Sequence, residues 1–227
     1  MKIFRPANAL LALGIGAALF ASSANATLIV SSSVGGAPTG LTYVNFDNLS
    51  LGGASGTSGG INVSFTGDAG VVTGALSGKY AAPWVSGGNG TAFGNANGAD
   101  TSNYLSTGIG TVTLAMPGET NYLGLLWGSV DGYNSLAFYD GNTLVGSLTG
   151  SAVTGSPTGN QGVNGTYYVN ISSSLNFNRV VASSNGYAFE FDNVAYNPAS
   201  VPEPATLGLL GLGFLGAAAA RRRKARG

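Results

Sequence analysis

An all-β fold, specifically an antiparallel β-sandwich of jelly-roll-like type, is predicted for this 227-residue chain by three observations. Short segments alternate β-branched or aromatic residues with polar ones. Glycine and asparagine turn signals bound them at close intervals. No stretch between Thr27 and Ser200 keeps the 3.6-residue period of a helix. Thr42–Phe46, Ile61–Phe65 and Val71–Thr73 open the series of expected strands. Val112, Leu114 and Met116 then alternate with Thr111, Thr113 and Ala115, and Tyr122–Trp127 follows. Ser135–Tyr139 and Thr143–Leu148 flank Asp140-Gly141-Asn142, a hairpin signal because these residue types tolerate positive φ. Tyr167, Val169 and Ile171 alternate with Tyr168 and Asn170, and Arg179–Ala182 and Ala188–Tyr196 close the series.

The 38 glycines set up the main competitor, disorder, above all in Gly35–Gly40, Gly52–Gly60, Gly87–Gly98 and Gly150–Gly165. Collagen is excluded by the lack of a three-residue glycine period. A β-solenoid would need a fixed repeat, and none is found.

Both ends of the chain read as addresses rather than as fold. Lys2 and Arg5, the apolar run Ala9–Phe20 and Ala24-Asn25-Ala26 make residues 1–26 an expected signal peptide. Residues 27–200 are then the exported β-sandwich domain, and 201–227 a tail. That tail is ordered as Val201-Pro202-Glu203-Pro204, an apolar run from Ala205 to Ala220, and the basic Arg221, Arg222, Arg223 and Lys224. The two prolines hold the opening of the tail extended. The 16 apolar residues fall short of the roughly 20 that span a bilayer, so a crossing helix there needs local thinning and snorkelling arginines. The basic cluster acts as a membrane stop and stays cytoplasmic. An uncleaved C-terminal anchor is the plainer reading of the same hydropathy.

This order resembles the PEP-CTERM sorting signal of Gram-negative bacteria. The resemblance implies export, a transient inner-membrane intermediate held by the C-terminal helix, and recognition by the sorting protease exosortase. Release to the cell surface or extracellular matrix would follow. Tyr122–Gly141 together with Ala188–Val194 is similar to a recurrent type of PEP-CTERM surface protein, which implies a sandwich ectodomain without supplying chemistry.

With the two ends set aside, residues 27–204 hold two basic residues, Lys79 and Arg179, and all nine acidic ones, a net charge of 2 − 9 = −7. Such a surface disfavours nucleic acid and anionic lipid and suits cations or neutral polysaccharide. The chain has no histidine and no cysteine, which excludes a Ser-His-Asp triad, a thiol nucleophile, disulfides and the usual zinc sites. A non-enzymatic surface or matrix protein that associates with extracellular polysaccharide, or with copies of itself, is therefore expected. The alternative is a secreted carbohydrate-active enzyme working with a carboxylate pair drawn from Asp131, Asp140, Glu190 and Asp192.

Trp84, Trp127, Asp131, Tyr133 and Asn134 are candidate glycan contacts, being types that stack on sugars or bond to hydroxyls. Trp127, flanked by Leu125, Leu126 and Val130, also reads as core. No cofactor is required by the sequence, but a structural calcium ion is a candidate. In Phe189-Glu190-Phe191-Asp192 the strand period puts both carboxylates on one face, and Phe46-Asp47-Asn48 repeats the order of Phe191-Asp192-Asn193. Asp47, Glu190 and Asp192 are thus candidate calcium ligands, with a solvated carboxylate face as the alternative.

Overall fold

The computed structural model describes residues 26–198, and the expected signal peptide and sorting tail lie outside them apart from Ala26. Eleven strands occur among the described residues: β1 (Leu28–Ser33), β2 (Thr42–Val44), β3 (Ser55–Ser58), β4 (Ile61–Val72), β5 (Trp84–Val85), β6 (Gly98–Ala99), β7 (Tyr104–Gly128), β8 (Asn134–Asp140), β9 (Thr143–Thr149), β10 (Tyr167–Ser184) and β11 (Phe189–Pro198). Nine of them form an open, sandwich-like, mostly antiparallel sheet, and β5 and β6 pair as a separate two-stranded ribbon. Two long strands organise it. β7 and β10 run antiparallel along their length, with Tyr167–Ser172 opposite Trp127–Tyr122 and Arg179–Ser184 opposite Ala115–Gly110. Between these stretches the register slips, close to Met116-Pro117-Gly118-Glu119 on β7 and Ser173–Asn178 on β10. Proline cannot donate to a ladder and glycine bends easily, so the break falls where the sequence supplies both.

Each long strand therefore has two arms with different neighbours. The first arm of β7 pairs with β4, which carries β3, while the second arm of β10 pairs with β8 and, through it, β9. The second arm of β7 pairs with β11, which carries β2, while the first arm of β10 pairs with β1. β11 touches both arms of β7: Glu190 lies opposite Ser106 on one side and Gly128 on the other. Counted from end to end it runs alongside β7, from Thr107 to Thr120, yet within each arm the partner number falls as its own rises. Residues from both arms, Leu114, Leu125, Trp127, Ile171, Val180 and Phe191 among them, bury into one core.

The hairpin at Asp140-Gly141-Asn142 joins β8 to β9. Asp140 pairs with Thr143 and Gly141 takes φ 54°, as a two-residue loop with glycine at its first central position requires.

The second arm of β7 is buried on both faces. Leu123, Leu125 and Trp127 point into the main core, and Tyr122 and Leu126 join Val85, Phe93, Tyr168 and Ala195 in a second cluster. That second cluster lies under the segment 73–103, which contains β5, β6 and a 3₁₀ turn at Thr91–Phe93. The glycine-rich stretch 87–98, for which disorder competed, is thus a covering layer. The covering segment is closed on itself by the Asp100 N–H to the Pro83 carbonyl and tied to the body by the Trp84 N–H to Thr166 Oγ1. Burial on both faces accounts for the continuous apolar run Tyr122–Trp127.

Candidate functional site

The segment 73–103 covers the outer face of β11, leaving two buried carboxylate chambers and one open groove. In the first chamber the Glu190 carboxylate, 1 % exposed, accepts the Ala81 N–H at 2.9 Å on Oε1 and the Ser129 hydroxyl on Oε2. Ser129 sits at the end of β7 with φ 38°. Burial pushes the Glu190 carboxyl up to about 7; the two donors pull it down, and the charge of Asp131 raises it. Glu190 and Asp131 border one small cavity of about 90 Å³ together with Lys79, Tyr187 and Gln161. Tyr133, 41 % exposed, places its hydroxyl 2.7 Å from Asp131 Oδ2 and 2.9 Å from the Tyr187 carbonyl, two acceptors that compete for its one proton. Beside it, Lys79 pairs with Asp68 at 2.9 Å and lies over the Tyr187 ring.

The second chamber contains Asp192. The register against β7 passes from Asp192 opposite Leu126 to Ala195 opposite Gly124, three steps against two, and Asn193 adopts φ 53°. A β-bulge of this kind re-aims side chains that regular alternation would send elsewhere. Asp192 and Asn193 are both fully buried, and none of their four side-chain polar atoms has a hydrogen-bond partner. Burial holds the Asp192 carboxyl well above the usual carboxylate range, with the charge of Asp100 adding to it and that of Asp47 contributing less. Asp100 is thus the main charged neighbour of Asp192. Its Oδ1 accepts from Ser102 N–H, Ser102 Oγ–H and Asn95 Nδ2–H, while Oδ2 has no donor.

These positions revise the expected calcium set. Glu190 and Asp192 do share a face, but that face is covered by 73–103 instead of solvated, and the two carboxylates enter separate chambers. Asp47 is exposed, accepting from Asn45 Nδ2 and the Asn103 N–H. Among the described residues no three acidic side chains converge as metal ligands. Asp100 is the residue that sequence reasoning missed, because it is distant from Asp192 along the chain and only the covering segment brings it near.

The expected glycan contacts also divide. Trp127 is fully buried in the core and stacked on Phe189, and Asn134 is fully buried, donating to the Ala188 carbonyl and accepting from Ser184 Oγ. Neither can touch a glycan, because the second arm of β7 and the start of β8 face inward there. Trp84 is 36 % exposed and lines an open groove of about 530 Å³ with Ala81, Ala82, Ala99, Thr101 and Gln161. Gln161 borders both this groove and the Glu190 cavity, so the two adjoin.

β11 ends at Pro198, and two residues later a family match begins: residues 200–224 fit the model of the PEP-CTERM protein-sorting motif. The chain carries a PEP-CTERM sorting signal. It is therefore an exosortase-targeted, exported bacterial surface protein. The Val201–Pro204 motif and the Arg221–Lys224 stop fall within the match, and both lie outside the described residues. Among the described residues no helix is long and apolar enough to cross a membrane. Nothing among curated proteins or solved structures matches the chain.

Proposed function

We propose that this PEP-CTERM protein is a non-enzymatic component of the extracellular matrix of a Gram-negative bacterium, and that its groove beside Trp84 takes a neutral polysaccharide chain. The half-exposed indole carries this reading. It stands in an open groove whose apolar lining comes from alanines and whose polar lining comes from Thr101, Gln161 and Asp100. Aromatic faces stack on the apolar faces of sugar rings, and short hydroxyl and amide side chains bond to sugar hydroxyls. The net charge of −7 on residues 27–204 favours a neutral glycan over a polyanion.

Affinity electrophoresis of the purified protein in gels cast with the producing strain's own polysaccharide tests the proposal. Wild type should be retarded and Trp84→Ala should migrate as in an empty gel. Equal retardation of the two would remove the groove from consideration. Concentration-dependent sedimentation without glycan retardation would favour association between copies.

One observation favours the enzymatic alternative. Glu190, with its carboxyl raised to about 7, and Asp131 border one cavity, as an acid and a base of a glycosidase would. Both Glu190 oxygens are already bonded to the protein, which suits a structural pin better than a proton donor. Release of reducing ends by wild type, lost in Glu190→Gln, would establish the enzyme instead.

A further inference from the structure

Two buried carboxyl groups, those of Asp192 and Asp100, act on each other electrostatically with no positive charge to balance them. The only basic residues among the described ones are Lys79, paired with Asp68, and Arg179, which lies over the Tyr139 ring and donates to the Gly141 carbonyl. Both oxygens of Asp192, Oδ2 of Asp100, Oδ1 of Asn95, and both Oδ1 and Nδ2 of Asn193 are buried without a side-chain hydrogen-bond partner. Leaving so many buried polar atoms unpaired costs several kcal/mol by any scale. Asn95 is joined to Asp100 through its Nδ2, and Asn193 follows Asp192 in the bulge. Asp47 lies within electrostatic reach of Asp192.

We propose that Asp100 and Asp192 bind a calcium ion at the bulge of β11, with amide oxygens of Asn193 and Asn95 as further donors. The chemistry fits a hard cation of this size. Calcium takes six to eight oxygens, mixes carboxylates with amide carbonyls, and tolerates irregular geometry, so two carboxylates suffice where amides fill the shell. Magnesium demands a near-ideal octahedron, and soft metals want the histidine and cysteine that this chain lacks. A proton shared between the two carboxyls would satisfy one pair of oxygens and leave the asparagine oxygens unpaired. The site pins 73–103 to β11 and shares Asp100 with the lining of the Trp84 groove, but its occupancy does not depend on any glycan.

The test uses the full exported chain, stripped with chelator and titrated with calcium chloride in a calorimeter. Melting curves with calcium, magnesium and chelator run alongside. Saturable binding of one calcium ion and a rise of the melting temperature with calcium are expected, since a ligand bound only by the native state stabilises it. Asp192→Asn and Asp100→Asn should each weaken binding by at least about tenfold, and Glu190→Gln should keep it. Terbium provides a readout independent of melting, because Tyr168, whose hydroxyl bonds to the Asn193 carbonyl, is placed to sensitise its emission. Absence of calcium heat with identical melts in calcium and chelator would overturn the proposal. So would binding that survives both Asp variants. A rise in stability of Asp192→Asn in chelator, with no calcium response in wild type, would assign the pair to a shared proton.

Discussion

Trp127 stacks on Phe189 with ring centroids 4.2 Å apart and planes inclined by 21°. The contact joins the end of β7 to the start of β11 at the corner where the latter meets both arms of the former. An indole placed here closes the sandwich.

Trp127→Ala should therefore cost about 3–5 kcal/mol, the range for deleting a large buried aromatic. Trp84→Ala, at the rim of the groove, should stay within about 0.5 kcal/mol. Urea denaturation of the two variants separates core from contact surface, and equal losses would contradict the placement of both.

Gly110 lies opposite Gly67 where β4 is irregular against β7, and a Cβ added to Gly110 would overlap the Thr66 carbonyl oxygen. Gly110→Ala should shift the urea midpoint well down. Gly118→Ala, at the bend of the same strand with open space around it, should leave the midpoint nearly unchanged. Similar midpoints for the two would mean that the strands are not packed as closely as described.

Glu190→Ala strands the Ala81 N–H and the Ser129 hydroxyl in a buried chamber. A loss of about 2–4 kcal/mol is expected, at about 1–3 kcal/mol for each unpaired group with partial relaxation. Glu190→Gln keeps the shape and one acceptor, so it should lose less than half as much. Thermal melts of the pair, read by near-UV circular dichroism, check the order.

Protein recovered from the cell surface should have an intact mass that starts near Thr27 and lacks the apolar run Ala205–Ala220. Replacing Pro202 and Glu203 together with alanine should leave full-length chain in the membrane fraction. Wild type released with its whole tail would count against processing at the motif.

The short strands were legible because the side-chain period of two survives in Val112–Met116 and Tyr167–Ile171. The merging of Val112–Met116 and Tyr122–Trp127 into one strand was not, since Met116-Pro117-Gly118-Glu119 reads locally as a turn and only pairing with β10 carries the chain through it. β1 and β3 were missed for a related reason: Leu28–Ser33 and Ser55–Ser58 are rich in serine, and a long partner, not propensity, holds them as strands. At the site, the shared face of Glu190 and Asp192 followed from alternation. Its burial depended on 73–103, whose glycines suggested disorder and whose order comes from contacts such as Trp84 with Thr166. The bulge at Asn193 left no local signal, because asparagine is no rarer in a chain so rich in it than in any loop.

Pro198 is the last paired residue of β11, opposite Thr120, and only three residues separate it from Pro202. The four steps from Pro198 to Pro202 reach at most about 14 Å when fully extended. Whatever grips the sorting motif must therefore work against the body of the domain, with no slack line between them. Tension on the tail enters directly at β11, along a strand flanked by β2 and β7, so the hydrogen bonds on both sides share the load in shear and do not unzip in turn. The strand that completes the sandwich is also its tow-rope.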